Sequence, residues 1–349
     1  MDHDKKKSSA LEVTHQESRP NNFISSLLYT RATVFYPALK LTETMKKKLV
    51  EVAESGGTNL DIPLGSSRIN SYGKDLVVNL HGDYLLQPHR DILENLLAFA
   101  TTIKLNDASY DSGAQITWKT VFETVEKGNP SETQEDGFDS FIDRSAVVLS
   151  TSMYALAKHI NLTPHPTNYK VIERRIVQLA NASIIIDELD ENGVVKDKKL
   201  VKFIQDFRFY HDSSKKKNPK VSTSNKTNHV FVVLDRRLLS AIRDHGYFYR
   251  LEQVKMTHYK TPTLRSFLKF CLTNKHSFLS GKQLDWLIKQ YLESIPVPLS
   301  NPSRMRTSLR KDILKNAVLI EADFGIQFRP DDQNNIRVFI VENQNESIE

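Results

Sequence analysis

The sequence of 349 residues contains a single cysteine, Cys271. One thiol rules out a disulfide framework and a cysteine-rich zinc site, and a reducing compartment fits. Cys271 lies in an apolar helical pattern, as a buried structural thiol would. No run of about 18 or more apolar residues occurs, and the opening stretch MDHDKKKSSALEVTHQESRP lacks the hydrophobic centre of a secretory signal. No membrane role is expected. There is no GxxxxGK[ST] loop, no GxGxxG and no HExxH. The 11 histidines are scattered, without metal-ligand spacing and without the HxH pair that a tyrosine-dependent nicking enzyme would set beside its tyrosine. The expectation is a protein that is not an enzyme, with no metal and no cofactor.

What is present suits a soluble chain of two domains. Hydrophobic residues make up 39% and charged residues 26%, with 17 Phe and 12 Tyr to fill cores. The formal net charge of +6 points mildly to a polyanionic partner, so the placement of the charge matters more than its sum.

The most informative stretch is Leu279 to Val341. LSGKQLDWLIKQYL reads as a helix with Ser280 as N-cap and an apolar face of Leu284, Leu287, Ile288, Tyr291 and Leu292. The prolines of ESIPVPLSNP interrupt it. PSRMRTSLRKDILKN then forms a second helix, with Pro302 in its first turn and Met305, Leu309 and Ile313 as the inward stripe. At about 100° per residue, Ser303, Arg304, Thr307, Arg310 and Lys311 fall on or near the outward side, with Arg306 and Ser308 on the same helix. Residues 302–316 hold five basic side chains (Arg304, Arg306, Arg310, Lys311, Lys315) against one acid, Asp312. AVLIEAD and NIRVFIVE read as two strands of a wing, with FGIQFRPDDQN near or between them. Helix, turn, basic helix and wing is the order of a winged helix-turn-helix, whose second helix enters a major groove. An amphipathic helix with a solvated charged face is the competing reading.

The same order occurs earlier. After a polar tail (1–25) come a weak helix ETMKKKLVEVAES, extended pieces near 67–70 and 75–80, and a helix opened by Pro88. Residues 105–145 form an acidic, turn-rich insertion, read as a surface loop around one short element, ITWKTVFETVEK. AVVLSTSMYALAKHIN is then a strand and a helix, TPHPTN a turn, and YKVIERRIVQLANA a helix whose stripe is Tyr169, Ile172, Ile176, Leu179 and Ala180. Lys170, Arg174 and Gln178 point away from that stripe, and Thr167 sits near its start. Three strand-like runs follow. Between the last two lies DSSKKKNPKVSTSNKTN, with Lys215, Lys216, Lys217 and Lys220. A basic hairpin tip there (211–229) can follow a phosphate backbone or a minor groove; the alternative is a solvated loop. The expected fold class is α+β, with two tandem winged-helix domains, 26–236 and 237–349.

These segments (AVVLSTSMYALAKHINL with NYKVIERRIVQLANASIIID, LVKFIQDFRFYHDSSKKKNPK with HVFVVLDRRLLSAI, YFYRLEQVKM with TPTLRSFLKFCLTNK, and MRTSLRKDILKNAVLIEADF) resemble the plasmid replication initiators built from two winged-helix domains, above all those of IncP-type plasmids. The resemblance spans roughly residues 70–341. It implies a bacterial, cytoplasmic protein that binds double-stranded DNA at directly repeated origin sites (iterons), helps open adjacent AT-rich DNA and recruits the host initiator and replicative helicase. It also implies a monomer–dimer equilibrium through the first domain. Carried over, Arg304, Thr307, Ser308 and Lys311 face the groove with Arg310 nearby, and Lys170, Arg174 and Gln178 do the parallel work in the first domain. The 105–145 insertion departs from the family, and the N-terminal tail has no evident sliding-clamp peptide. Three alternatives stay open: a winged-helix transcriptional regulator or autorepressor without origin opening, a protein-binding structural module, and a nicking enzyme.

Overall fold

The computed structural model describes residues 10–14, 22–26, 30, 32–55, 62–71, 74–125, 141–210, 229–234, 248–252, 255–256, 258–274, 280–297 and 299–340. Its strands are β1 (Leu11–Thr14), β2 (Asn22–Ser26), β3 (Gly65–Ser71), β4 (Lys74–His81), β5 (Thr101–Leu105), β6 (Ile116–Thr117), β7 (Phe141–Ile142), β8 (Val148–Ser152), β9 (Ser183–Leu189), β10 (Val195–Lys202), β11 (Ile204–Tyr210), β12 (His229–Leu234), β13 (Phe248–Glu252), β14 (Ile326–Pro330) and β15 (Ile336–Ile340). Its helices are α1 (Glu43–Glu54), α2 (Gln87–Phe99), α3 (Asp107–Asp111), α4 (Trp118–Val125), α5 (Met153–His159), α6 (Pro166–Asn181), α7 (Pro262–Thr273), α8 (Leu284–Glu293), α9 (Pro302–Lys315) and α10 (Ala317–Phe324). This is an α+β fold of helices and antiparallel sheets.

The chain separates into two compact units that interleave along the sequence, where contiguous domains with a break at 236/237 were expected. Unit 1 is Met1–Pro20, Ile92–Ile176 and Phe203–Ser240; unit 2 is Asn21–Asp91, Val177–Lys202 and Ala241–Glu349. The cause is strand pairing over long sequence separations. β4 pairs with β3 but also with β9, Val78 opposite Ile186, so residues 65–81 and 183–202 share one sheet of order β10-β9-β4-β3.

Unit 1 is built on a five-stranded sheet of order β1-β5-β8-β12-β11. Ile103, Leu105, Val148, Phe231 and Val233 are buried on it. The flanks of the acidic insertion are part of this core and not loop. Ile116, Trp118, Val121 and Ile142 are buried in the same cluster, and the Trp118 indole N–H donates to Asp206 at 2.9 Å. Residues 126–140 of the insertion lie outside the described residues. Ser152 caps α5 by accepting the Ala155 N–H at 3.0 Å. At the other end of α5 the His159 ring stacks on Phe99, centroids 4.2 Å apart, and burial lowers its pKa.

In unit 2, α7, α8 and α9 pack together around Leu264, Phe267, Leu268, Leu287, Ile288, Tyr291, Leu309 and Ile313, all at most 1% exposed. Phe267 and Phe270 meet the Tyr291 ring edge-on at 5.5 and 5.6 Å. AVLIEAD is helix and not the expected strand: it is α10. The Ile320 N–H donates to Asn316 O at 2.8 Å, and Gly325, at φ +66°, ends the helix with its N–H on Glu321 O. Asp323 is held from outside the helix, by the Tyr259 hydroxyl at 2.9 Å and His258 Nδ1 at 3.0 Å. Only Ile320 of α10 is buried, while Val318 is 85% exposed.

Candidate nucleic-acid interface

Helix α9 is placed by its buried stripe and its cap. Leu309 and Ile313 are buried and Met305 half-buried, one turn apart on the inner side. Asn301 caps the helix, its side-chain oxygen accepting the Arg304 N–H at 2.9 Å, and Pro302 occupies the first turn, where no N–H partner is needed. Ser303, Arg304, Arg306, Thr307, Ser308 and Lys311 are exposed and Arg310 is half-exposed; Arg304, Thr307, Ser308 and Lys311 share the outward side, while Arg306 and Arg310 lie on the flank toward α8. The Thr307 hydroxyl donates to Ser303 O at 3.0 Å, which leaves its lone pairs for an outside donor. The helix's acid, Asp312, accepts from the Thr261 hydroxyl at 3.1 Å, tying α9 to the start of α7.

Helix α8 begins at Leu284 with Gln283 in the cap position, not at Ser280 as expected. The reason is a competing backbone pairing. Gly281 N–H donates to Val338 O at 2.7 Å, Val338 N–H donates to Lys282 O at 2.9 Å, and Gln283 bridges antiparallel to Arg337. Residues 281–283 thus line up on β15, which pairs with β14, Phe328 opposite Val338. The hairpin turn is organised by Asp331, which accepts the Gln333 and Asn335 N–H groups at 3.0 and 2.8 Å. Arg337 is committed to the structure through Asp331 at 2.8 Å and Gly281 O at 2.8 Å, while Arg329 on β14 is exposed.

Helix α6 buries Ile172, Ile176 and Leu179 and exposes Thr167, Lys170 and Arg174. Gln178 lies differently from expectation. It is half-buried, with its Oε1 3.1 Å from His89 Nε2. Because the Leu86 N–H donates to His89 Nδ1 at 2.9 Å, Nε2 carries the ring proton and donates to Gln178. The Gln178 amide also bonds Asp83, whose pKa is raised by burial against the opposing effect of Asn181 and Gln178. Gln178 therefore stitches unit 2 together and does not face outward. Lys215, Lys216, Lys217 and Lys220 lie outside the described residues; the strands on either side are paired, Tyr210 opposite His229.

No protein-family model matches the sequence. No curated protein matches it either. Among solved structures, the chain is similar to a crystal structure of SeMet derivatives of domains 2 and 3 of RctB, at 9% identity over 78% of this chain and 88% of that one, with a TM-score of 0.44. A second crystal structure, of RctB domains 2–3, matches at 9% identity with the same coverage and a TM-score of 0.38.

Two groups of side chains were missed in the sequence. Lys196, Lys198, Lys199 and Lys202 stand exposed on β10. Part of their charge is met locally, with Lys198 3.4 Å from Asp187 and Lys199 3.1 Å from Asp197. Their signal was VVKDKKLVK, four lysines in a strand-length run. The other is Asp285, in the first turn of α8, which lies 3.4 Å from Arg306 and 3.6 Å from Arg310. Among the described residues no group of three or more His, Cys, Asp or Glu is placed to hold a metal, and no helix is long and apolar enough to cross a membrane.

Proposed function

We propose that this protein is a sequence-specific double-stranded DNA-binding replication initiator built on two winged-helix modules, one around α5 and α6 and the other around α8 and α9. The observation that carries the reading is the outward surface of α9. A helix anchored by Leu309 and Ile313 and capped by Asn301 presents Arg304, Thr307, Ser308 and Lys311 together, with its acid turned to Thr261. Arginine and lysine neutralise phosphates and release counterions, while arginine, serine and threonine read base edges in the major groove.

The module assignment is supported by a shared strand order. In unit 2 the strand before the helix pair, 281–283, meets β15, the last strand of the hairpin, which pairs with β14. In unit 1 the strand before α5, β8, pairs with β12, the last strand of its hairpin, which pairs with β11. In this reading α6 contributes Thr167, Lys170 and Arg174, without Gln178. Lys215, Lys216, Lys217 and Lys220 belong to the first module's wing and meet the phosphate backbone.

Binding to directly repeated origin sites, opening of AT-rich DNA, contacts with a host initiator and helicase, and dimerisation through the first module rest on the resemblance to plasmid initiators. Opening would draw on binding and bending energy without nucleotide hydrolysis. The test is selection of genomic fragments by the purified full chain at about 0.15 M salt, where the sequence-indifferent phosphate term is weakened. Enrichment of direct repeats beside an AT-rich tract is the expected result. A single inverted repeat at promoters would instead make the protein a winged-helix regulator, and no enrichment would refute DNA reading.

A further inference from the structure

The cations of α9 fall into two kinds. Arg304 and Lys311 are exposed and have no acidic partner among the described residues. Arg306 and Arg310, one turn apart, share one. A single carboxylate oxygen, Oδ1 of Asp285, lies 3.4 Å from Arg306 Nη2 and 3.6 Å from Arg310 Nε. All three side chains are close to half-exposed, at 44, 49 and 40% for Asp285, Arg306 and Arg310, so the cluster faces solvent and is not a sealed core pair. Asp285 also suits its place: an acid in the first turn of a helix is favoured by the helix dipole.

The approach of Arg310 to Asp285 runs through Nε, at 3.6 Å. An arginine takes up O6 and N7 of a guanine through two of its N–H groups at once, so the orientation of the guanidinium decides whether it reads the base. A long side chain that swings freely must be ordered when it reads a base, and one already held against a carboxylate has part of that ordering done.

We propose that Asp285 is a specificity-determining positioning residue that orients Arg306 and Arg310 for base reading, a partner that Arg304 and Lys311 lack among the described residues. This rests on the DNA-binding reading above. It makes a claim that simple electrostatics does not. Removing an acid from a DNA-binding surface raises affinity for all DNA alike. Removing a positioning acid lowers affinity for the preferred sequence while affinity for other DNA stays level or rises.

The test uses the full-length protein, a randomised duplex pool for selection, and anisotropy titrations against the selected duplex and a scrambled one at fixed salt. For Asp285→Asn the expected result is a ratio of selected to scrambled affinity that falls by at least about fivefold, the lower end of what one bidentate arginine–base contact is worth. The fall comes from weaker binding to the selected duplex. In an Arg306→Gln/Arg310→Gln background the same substitution then changes the ratio little, because its targets are gone. An unchanged melting temperature confirms that the half-exposed site tolerates the change. Equal gains on both duplexes, an unchanged ratio, or the full effect persisting without the two arginines would overturn the role of Asp285 while leaving DNA binding intact. If neither wild type nor variant retains any of the pool, the DNA-binding reading falls and takes this proposal with it.

Discussion

Gly65, at the start of β3, lies against the turn between α8 and α9, and Gly65→Ala is the sharpest test of that packing. A Cβ at residue 65 would overlap the Pro296 carbonyl, standing 2.7 Å from its carbon and 3.1 Å from the Val297 nitrogen. Carbon atoms in good contact stand about 3.5 Å apart or more, so one backbone must withdraw by about 0.8 Å. The adjacent Ser66 N–H donates to the same Pro296 oxygen at 2.9 Å. A withdrawal of that size stretches it to about 3.7 Å, beyond hydrogen-bond range. Losing that bond costs about 0.5–1.5 kcal/mol, and overpacking adds about 1–3 kcal/mol, which together give about 2–4 kcal/mol. With a urea m-value of about 2 kcal/mol/M, the unfolding midpoint should fall by about 1–2 M. Ser66→Ala is the control. It removes an exposed hydroxyl and keeps the backbone N–H, so its effect should stay within about 0.5 kcal/mol. A Gly65→Ala midpoint within about 0.2 M of wild type would show that β3 does not press on the turn as described, and the reasoning would fail.

Replacing Arg304 or Lys311 by alanine should flatten the plot of log affinity against log salt by about 0.9 for each phosphate the side chain neutralises, at every duplex sequence tested. An unchanged slope would show that the side chain meets no phosphate. For Asp331, partial burial works to raise the pKa, but the Asn335 N–H, the Arg337 guanidinium and the Gln333 N–H outweigh it and hold the carboxyl below its ordinary value. A depressed folded pKa adds stability above the unfolded value of about 3.9, and that stability is lost as pH falls through the folded pKa. The urea-midpoint gap between wild type and Asp331→Asn should therefore be open near neutrality and close in acid; a gap constant with pH would refute the assignment. Cys271 is fully buried and burial pushes its thiol pKa up, so alkylation of the native protein should run at least about a thousandfold slower than in denaturant. Fast native labelling would show that α7 is not the packed helix described.

Local chemistry made much of the fold legible in advance. The spacing of Leu309 and Ile313, Pro302 in the first turn and the prolines of 296–302 placed α9 and its exposed side, because each acts within one or two turns of chain. Ile172, Ile176 and Leu179 did the same for α6. The misses have non-local causes. AVLIEAD is apolar almost throughout and carries no period, so only its surroundings, Asn316 before it and the grip on Asp323, select helix over strand. Ser280 looked like a cap because its competitor, the pairing of 281–283 with β15, lies more than 50 residues on. Gln178 read as outward because its partner His89 is 89 positions away, and the interleaving of the units follows from β4 pairing with β9 across a similar distance. Lys196, Lys198, Lys199 and Lys202 were visible as residues, but nothing local tells a basic edge strand from a basic loop.

The two hairpins differ in charge, and on the proposed function that difference assigns them different work. The first joins β11 to β12 through the segment holding Lys215, Lys216, Lys217 and Lys220. The second turns at Pro330-Asp331-Asp332, with Asp331 consumed in shaping the turn and Arg337 consumed in holding Asp331. An acidic tip is repelled by phosphate, so the second hairpin approaches a duplex through Arg329, exposed near the end of β14. Base reading then concentrates on α9, and the first module's hairpin supplies backbone contact that is indifferent to sequence. Alanine at Lys216 should accordingly weaken selected and scrambled duplexes by the same factor, as a phosphate contact does. Loss confined to the selected duplex would move that hairpin from backbone to base and reverse the division of labour.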